Sequence, residues 1–347
     1  ASLFSVNPLP NQVKCLFMSS HTSQLTSQLQ SIEHELFKRH KVNVMIKRDD
    51  TIHPIISGNK WRKLKYNITH AKQTGKKGII SFGGAYSNHI HALAFACYQA
   101  GLPCIGIIRG EAHYANNFTL SWAQHWQMRL TFVNRATYRQ RSNKTYLEQL
   151  QQQYPEYLII PEGGSNHFAI EGVGEVIDEL NQQTQFDTLL TPVGSGGTLA
   201  GLINGDKGQH ELLGIAVLKQ SSPKREESDT TTGYLTNEVT SLLPACARKY
   251  NNWQILSDYH RGGYAKFNDH DCQRILTFSQ HCGIDFEPVY SGKMVLALLD
   301  LIEAGYFPEN HRIVMLHTGG LQGLGGLLER NVLSNIHWRY PRQAPKK

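Results

Sequence analysis

The sequence predicts an α/β protein built from open, mostly parallel sheets with helices on both faces. Short apolar runs rich in β-branched residues alternate with longer segments whose apolar residues recur at helical spacing. Several of these runs end in glycine-rich turns that lead into a helix, the place where open α/β sheets bind ligands. With 347 residues, the chain suits two domains or one large unit with an inserted lobe.

The first forty residues are rich in Ser, Gln and His, and a helix is expected around Thr22 to His40. VNVMIKR (42–48) reads as a strand and Lys60 to Gln73 as a helix. GIISF (78–82) is a strand, followed by a helix from His89 to Ala100 that Gly101 closes. The strand PCIGIIR (103–109), a helix near Phe118 to Trp126 and the strand RLTFV (129–133) come next. A helix over Lys144 to Gln153, the strand YLIIP (157–161) and a helix from Ala169 to Leu180 follow. DTLLTPV (187–193), ELLGIAVL (211–218) and RIVMLHT (312–318) complete the strands. Lys219 to Gly233 is polar and charged, and reads as a mobile surface insertion.

Composition excludes several classes. Apolar content of 40% and charged content of 18% are ordinary for a folded chain. The formal charge of +7 is scattered, without a basic block, so anionic metabolites fit better than nucleic acid. Six cysteines form no CxxC pair or metal-ligand spacing and read as reduced thiols. No apolar run approaches the ~20 residues of a membrane span, and no secretory signal is legible, so a cytoplasmic protein is expected. HExxH, GxSxG and a Cys/His signature are absent, and no metal is expected.

Three segments place special backbone beside a strand end. In ISGNKWRKLKY (56–66), Gly58 permits a tight approach, and Asn59 is expected to cap a helix that opens with Lys60 and Lys63. The plainer reading is two solvated lysines. In FGGAYSNHIHALA (82–94), a Gly-Gly turn leads to Ser87 and Asn88 at a helix start, suited to a carboxylate or phosphate or simply to capping. His89 and His91 fall on different helix faces, which argues against a metal pair. In TPVGSGGTLAG (191–201), Gly194, Gly196 and Gly197 allow close backbone approach while Ser195 and Thr198 offer hydroxyls. That is a phosphate cradle or a tight connection, without the lysine of a P-loop.

Taken together, KRDD (47–50), GNKxRKLxY (58–66), SFGG…SN (81–88), the GSGGT loop, PVYxGK (288–293) and HxGG (317–320) resemble one family. It is the 1-aminocyclopropane-1-carboxylate deaminase / D-cysteine desulfhydrase family of fold type II pyridoxal-phosphate enzymes, which have the tryptophan-synthase-β-like fold. The resemblance runs from about Val42 to the last glycine turns. It implies pyridoxal 5′-phosphate as cofactor, with Lys60 as the lysine that carries it. Lys63 and the Gly194–Ser195–Gly196–Gly197–Thr198 backbone match contacts to the cofactor phosphate. Asn88 corresponds to the residue beside the phenolic oxygen, and Ser87 to the contact with the substrate carboxylate. Tyr290 matches a catalytic tyrosine, and Tyr264 in RGGYAKF (261–267) another. The resemblance further implies a large lobe of residues 1–65 and 166–347, an inserted lobe of 66–165, a cleft between them and a homodimer.

Ser291 and Thr318 distinguish the branches. The cyclopropane deaminases have Glu where Ser291 stands, facing the pyridine nitrogen, and Leu where Thr318 stands. Hydroxyls at both positions, and His89 after Ser-Asn, resemble the D-cysteine desulfhydrases. A hydroxyl in place of the carboxylate is expected to leave the ring nitrogen largely neutral, the weaker electron sink that β-elimination needs. D-cysteine is therefore the expected substrate, with another small D- or L-amino acid as alternative. Tyr86 replaces a usual Gln, His91 and Ala92 replace an Arg-Gln pair, and Glu287 replaces Asp, with Tyr86 and His91 both expected close to the substrate carboxylate. Other readings are a serine-type or cyclopropane deaminase, or a cofactor-binding protein with little catalysis.

Overall fold

Branched and apolar runs set between polar or glycine breaks become strands because such side chains pack well on a pleated surface buried on both faces. A computed structural model describes residues 25–219, 231–333 and 338. The chain order begins β1 (Leu29–Ile32), α1 (Glu35–Arg39), β2 (Asn43–Lys47) and α2 (Asn59–Gln73). It continues with β3 (Gly78–Gly84), α3 (Asn88–Ala100), β4 (Cys104–Arg109), α4 (Phe118–His125) and β5 (Arg129–Val133). Next come α5 (Arg135–Arg139), α6 (Lys144–Gln153), β6 (Tyr157–Ile159), α7 (His167–Gln183) and β7 (Thr188–Val193). The last elements are α8 (Gly197–Asp206), β8 (Glu211–Ala216), α9 (Thr231–Leu242), β9 (Trp253–Leu256), α10 (Asp269–Cys282), α11 (Ser291–Glu303), β10 (Arg312–Leu316) and α12 (Gly323–Glu329).

Two sheets result. The larger runs β1-β2-β10-β7-β8-β9 and the smaller β5-β4-β3-β6. Every pairing is parallel except β1 with β2, so the predicted mostly parallel α/β architecture is what the chain adopts. Helices cover both faces. Phe278, Met294, Val295 and Leu298 of α10 and α11 pack on one side of the larger sheet. Val173, Val176, Leu199 and Ile203 of α7 and α8 pack on the other. The smaller sheet lies between Leu64, Ile68, Leu93 and Leu120 on one face and Tyr138 and Leu150 on the other. Among the described residues no helix is long and apolar enough to cross a membrane.

Three local expectations are corrected. The helix placed at Thr22 to His40 is not there in the described part. Leu29–Ile32 is an edge strand, paired Leu29 with Lys47 and Ile32 with Val44, and only Glu35–Arg39 is helical. Pairing with β2 overrides the helical spacing of these residues. Asn59 does not cap α2 but is its first residue. Gly58 is the cap, at φ 66, because the carbonyl of Thr318 lies where any side chain would stand. Residues 231–233 open α9 rather than ending a polar loop, since Leu235 and Val239 are buried. The rest of the expected 219–233 insertion, apart from Lys219, lies outside the described residues.

Candidate active site

Four helix starts and one glycine loop converge at the carboxyl ends of the strands. α2 brings Lys60 and Lys63 in its first turn. Lys60 is half-buried, and its Nζ has one weak contact, to the Gly163 carbonyl at 3.4 Å. Burial pulls its pKa down to about 8, against the opposing pull of the Glu162 carboxylate. Lys63 is fully buried, and among the described residues its Nζ donates only to Ser165 Oγ, at 3.2 Å. Burial first, and the Lys60 charge second, hold it well below the usual lysine range.

Opposite Lys63 lies the N-terminus of α8. Gly196 caps it in the left-handed conformation without any side-chain hydrogen bond. A side chain at Gly197 would strike Ser165, and its Cβ would come within 3.0 Å of Lys63 Nζ. Bare amides, the positive end of a helix dipole and a lysine with no carboxylate partner among the described residues thus meet in one place. Thr198 Oγ1 accepts from Asn59 Nδ2 at 2.8 Å, which ties this turn to α2. Ser195 is exposed, with its Oγ 3.3 Å from Ser165 Oγ, and Gly194 lies under the Tyr290 ring.

α3 begins at the same cleft. Ser87 is its N-cap and accepts from Ile90 N at 3.3 Å. The Asn88 side chain makes no hydrogen bond among the described residues, and its amide lies against Gly320 and Gly323 of the glycine loop. His89 is buried beside Gly164, with Nε2 at 2.7 Å from Ser81 Oγ. Ser81 Oγ itself donates to the Ile160 carbonyl, so His89 Nε2 must carry the hydrogen, and Nδ1 is a buried acceptor without a partner. Burial, then the charges of Lys60 and Lys63, keep His89 neutral. His91 points away and packs edge-on against Trp126. Tyr86 packs on α12, over Gly326 and under the Arg330 guanidinium, with Tyr114 edge-on.

Tyr290 caps α11, and its ring meets Tyr264 at 5.9 Å in a T-shaped contact. Burial, then Tyr264, raise the Tyr290 phenol well above its usual pKa, so it stays protonated. Tyr264 is 56% exposed at the cleft mouth, on a loop held by Lys293, which donates to the Gly263 and Val217 carbonyls. Ser291 is fully buried, and its hydroxyl meets the Glu287 carboxylate. Thr318 is buried, and its carbonyl receives Asn59 N at 3.2 Å. His317 fixes that loop by accepting from Gly319 N, while its Nε2 faces the Asp285 carbonyl at 2.8 Å.

The sequence reading missed Glu162 beside Lys60 and Ser165 beneath Lys63, and it named Glu287 and the motif that ends in Lys293 without giving either residue a role. A PEGG turn (161–164) after a strand was the available signal for the first two. The donor set fits a phosphorylated aldehyde cofactor: an uncapped helix start and buried Lys63 for the anion, Lys60 for the aldehyde and the idle Asn88 amide for an oxygen. Among the described residues no cluster of His, Cys, Asp and Glu is arranged to hold a metal ion.

Comparison with known proteins agrees. The model of a family described as pyridoxal-phosphate dependent enzyme matches residues 30–319. A Pyrococcus horikoshii protein provisionally named a 1-aminocyclopropane-1-carboxylate deaminase is 31% identical over 286 residues, 81% of this chain and 85% of that one. A Klebsiella pneumoniae D-cysteine desulfhydrase is 26% identical over 293 residues, 81% and 88% of the two chains. The crystal structure of a cyclopropane-carboxylate (ACC) deaminase homologue superposes with a TM-score of 0.72 at 27% identity, covering 88% of this chain and 93% of that one. A threonine deaminase from Solanum lycopersicum, at 17% identity and a TM-score of 0.61, shares the fold over 89% of this chain and 84% of its own.

Proposed function

The chain belongs to the pyridoxal-phosphate dependent enzymes of fold type II, with pyridoxal 5′-phosphate as its cofactor, and on that premise we propose that it eliminates or deaminates a small amino acid. D-cysteine is the foremost substrate, yielding pyruvate, hydrogen sulfide and ammonia. The observation that carries this reading is the Lys60 amine, poised near neutrality with one weak contact at the centre of the cleft. The hydroxyls of Ser291 and Thr318, where the cyclopropane deaminases have Glu and Leu, favour the desulfhydrase branch.

When bound, the cofactor supplies an aldehyde to the substrate amine and a ring that withdraws electrons from the substrate Cα. Lys63 and the α8 amides hold the phosphate, and Ser87 with Asn88 holds the substrate carboxylate. Lys60, once free, takes the Cα proton as general base. The Tyr290 phenol, kept protonated by burial, donates to the departing group, with Tyr264 against it. The same reading takes residues 66–165 as a smaller lobe closing on the rest, and a homodimer as the working assembly.

The test is to load the purified protein with pyridoxal phosphate and offer D-cysteine, L-cysteine, D-serine and 1-aminocyclopropane-1-carboxylate in turn. Sulfide and pyruvate from D-cysteine is the expected result. Ammonia and 2-oxobutyrate from the cyclopropane acid would replace it with a deaminase, and turnover of none would sink the substrate assignment.

Capture of the cofactor has its own pH signature. The lysine must be neutral to attack an aldehyde, so uptake by cofactor-free protein should quicken with pH through about 8 and level off above. Two units lower, the neutral fraction is roughly a hundredfold smaller. Glu162 stabilises the ammonium, so Glu162→Gln should move the rise to lower pH. Stopped-flow absorbance across a pH series measures both, and a flat profile would mean that another amine does the capturing.

A further inference from the structure

α12 joins the two sheets at the back of the Ser87–Asn88 turn. Its Leu324 and Leu327 are buried in the core of the larger sheet. Its glycines face α3 and α4, the helices of the smaller one. A Cβ on Gly325 would lie 2.7 Å from the Phe118 ring, and one on Gly326 2.4 Å from the Tyr86 ring. Only glycine lets two aromatic rings rest this close to a helix backbone.

Two charged groups close this seat. The Arg330 guanidinium lies 4.6 Å over the Tyr86 ring, and its Nε donates to the Gly326 carbonyl at 3.0 Å. Glu329 Oε2 accepts from Phe118 N at 3.1 Å, in the first turn of α4, where the helix dipole favours a carboxylate. Asn117, the cap of α4, donates from Nδ2 to the Ala85 carbonyl at 2.8 Å. Residues 85–86 and 117–118 are therefore tied to each other and docked together on α12. Ser87 and Asn88 follow at once in the chain, and a Cβ on Gly323 would lie 3.4 Å from Asn88 Oδ1.

The resemblance places Tyr86 beside the substrate carboxylate, but its ring is turned onto α12. We propose that Tyr86 is a positioning residue: seated on the glycines of α12, it holds the Ser87–Asn88 turn in place and so sets the affinity for all amino-acid substrates alike. That this turn holds the substrate carboxylate belongs to the proposed function, and the inference rests on it. A turn docked for only part of the time binds its ligand more weakly by the docked fraction, whatever the ligand's side chain. A pocket wall behaves differently, because each substrate side chain meets it with its own contact energy.

Gly326→Ala addresses the ring from the α12 side. Its backbone is helical, so alanine suits the helix, but the new Cβ must displace the Tyr86 ring. The experiment compares this variant, Tyr86→Gln and Tyr86→Phe with the wild type, all loaded with pyridoxal phosphate. Amide hydrogen exchange is followed together with steady-state kinetics on D-cysteine, L-cysteine and D-serine. Exchange over residues 84–90 should quicken in Gly326→Ala and Tyr86→Gln, while Tyr86→Phe, which keeps the ring, should stay near the wild type. In the same two variants KM should rise about tenfold, the scale of one partly buried cation–π contact. The factor should be equal for every substrate turned over, with kcat little changed. Unchanged exchange in Gly326→Ala and Tyr86→Gln overturns the inference. So does an altered order of preference among the amino acids, which would make Tyr86 a wall of the pocket. Quickened exchange in a protein that turns over none of the three removes the substrate assignment and still supports the seat.

Discussion

Lys60→Ala is expected to cut turnover by at least about a thousandfold while leaving the protein folded and the cofactor still bound, though no longer covalently. On the proposed reading the lysine has two roles, anchor and general base, and no neighbour can assume them. Lys63 is fully buried against Ser165, and His89, whose free ring nitrogen is Nδ1, is held by burial well below its usual pKa and is a poor base. The cost to stability is small, because Lys60 Nζ makes one weak contact, and removing a poorly partnered half-buried amine relieves desolvation. The α8 start and Lys63 remain to hold the phosphate, so affinity should fall far less than rate. Borohydride trapping followed by peptide mapping should tag Lys60 in the wild type and nothing in the variant. A tag on Lys63, or turnover near the wild-type level, would remove Lys60 from the centre of the site.

How much of this was legible in the sequence follows from which forces act locally. Most strands from β2 to β8, and β10, were readable because Val, Ile and Leu runs stop at glycines and polar breaks, which fixes type and approximate ends. β1 was not, because Gln28, Gln30 and Ser31 carry no strand pattern and the strand exists by pairing with Ser31 opposite Met45. α11 begins at a motif, yet KMVLALLDLIE is apolar nearly all round, so periodicity says little about a helix buried on every side. At the site, the glycines and the residues in short motifs could be named in advance. What could not be read were contacts between distant segments: Ser165 under Lys63 and Lys293 holding the Tyr264 loop. Spacing identifies which side chains arrive at a cleft, but not which partner has already taken their hydrogen bonds.

Nor could it show that the two lysines proposed to hold the cofactor hang on a buried charge network. Arg62, between them in α2, donates from Nε and Nη2 to Asp49 at 2.6 and 2.8 Å. It also donates from Nη1 and Nη2 to Glu179 at 2.8 and 3.0 Å. Lys47 completes the cluster, 2.6 Å from Glu179, and Ser27 Oγ lies 2.6 Å from Asp49. All four charged groups are buried, so their pairing is what makes the burial tolerable. Arg62→Met keeps an unbranched apolar stem but removes the guanidinium, which leaves Asp49 without its ion-pair partner and Glu179 with Lys47 alone. That should cost about 3–5 kcal/mol, the range for breaking a buried pair from one side. Burial pushes the Glu179 carboxyl up, but the hydrogen bonds and charges of Arg62 and Lys47 outweigh it and hold the group below its usual pKa. Its contribution is therefore present above the unfolded-state value and lost as pH falls through the lower folded value. Without Arg62 that depression shrinks, so the variant should begin to lose stability at a higher pH than the wild type on acidification. Denaturant titrations from neutral to acid pH, with cofactor release followed in parallel, measure both effects. If α2 is held by this network, release of the cofactor should coincide with unfolding in the wild type and precede it in the variant. A stability loss below about 1 kcal/mol, the level of an exposed pair, would mean that apolar packing of Trp61, Leu64 and Ile68 alone seats the helix.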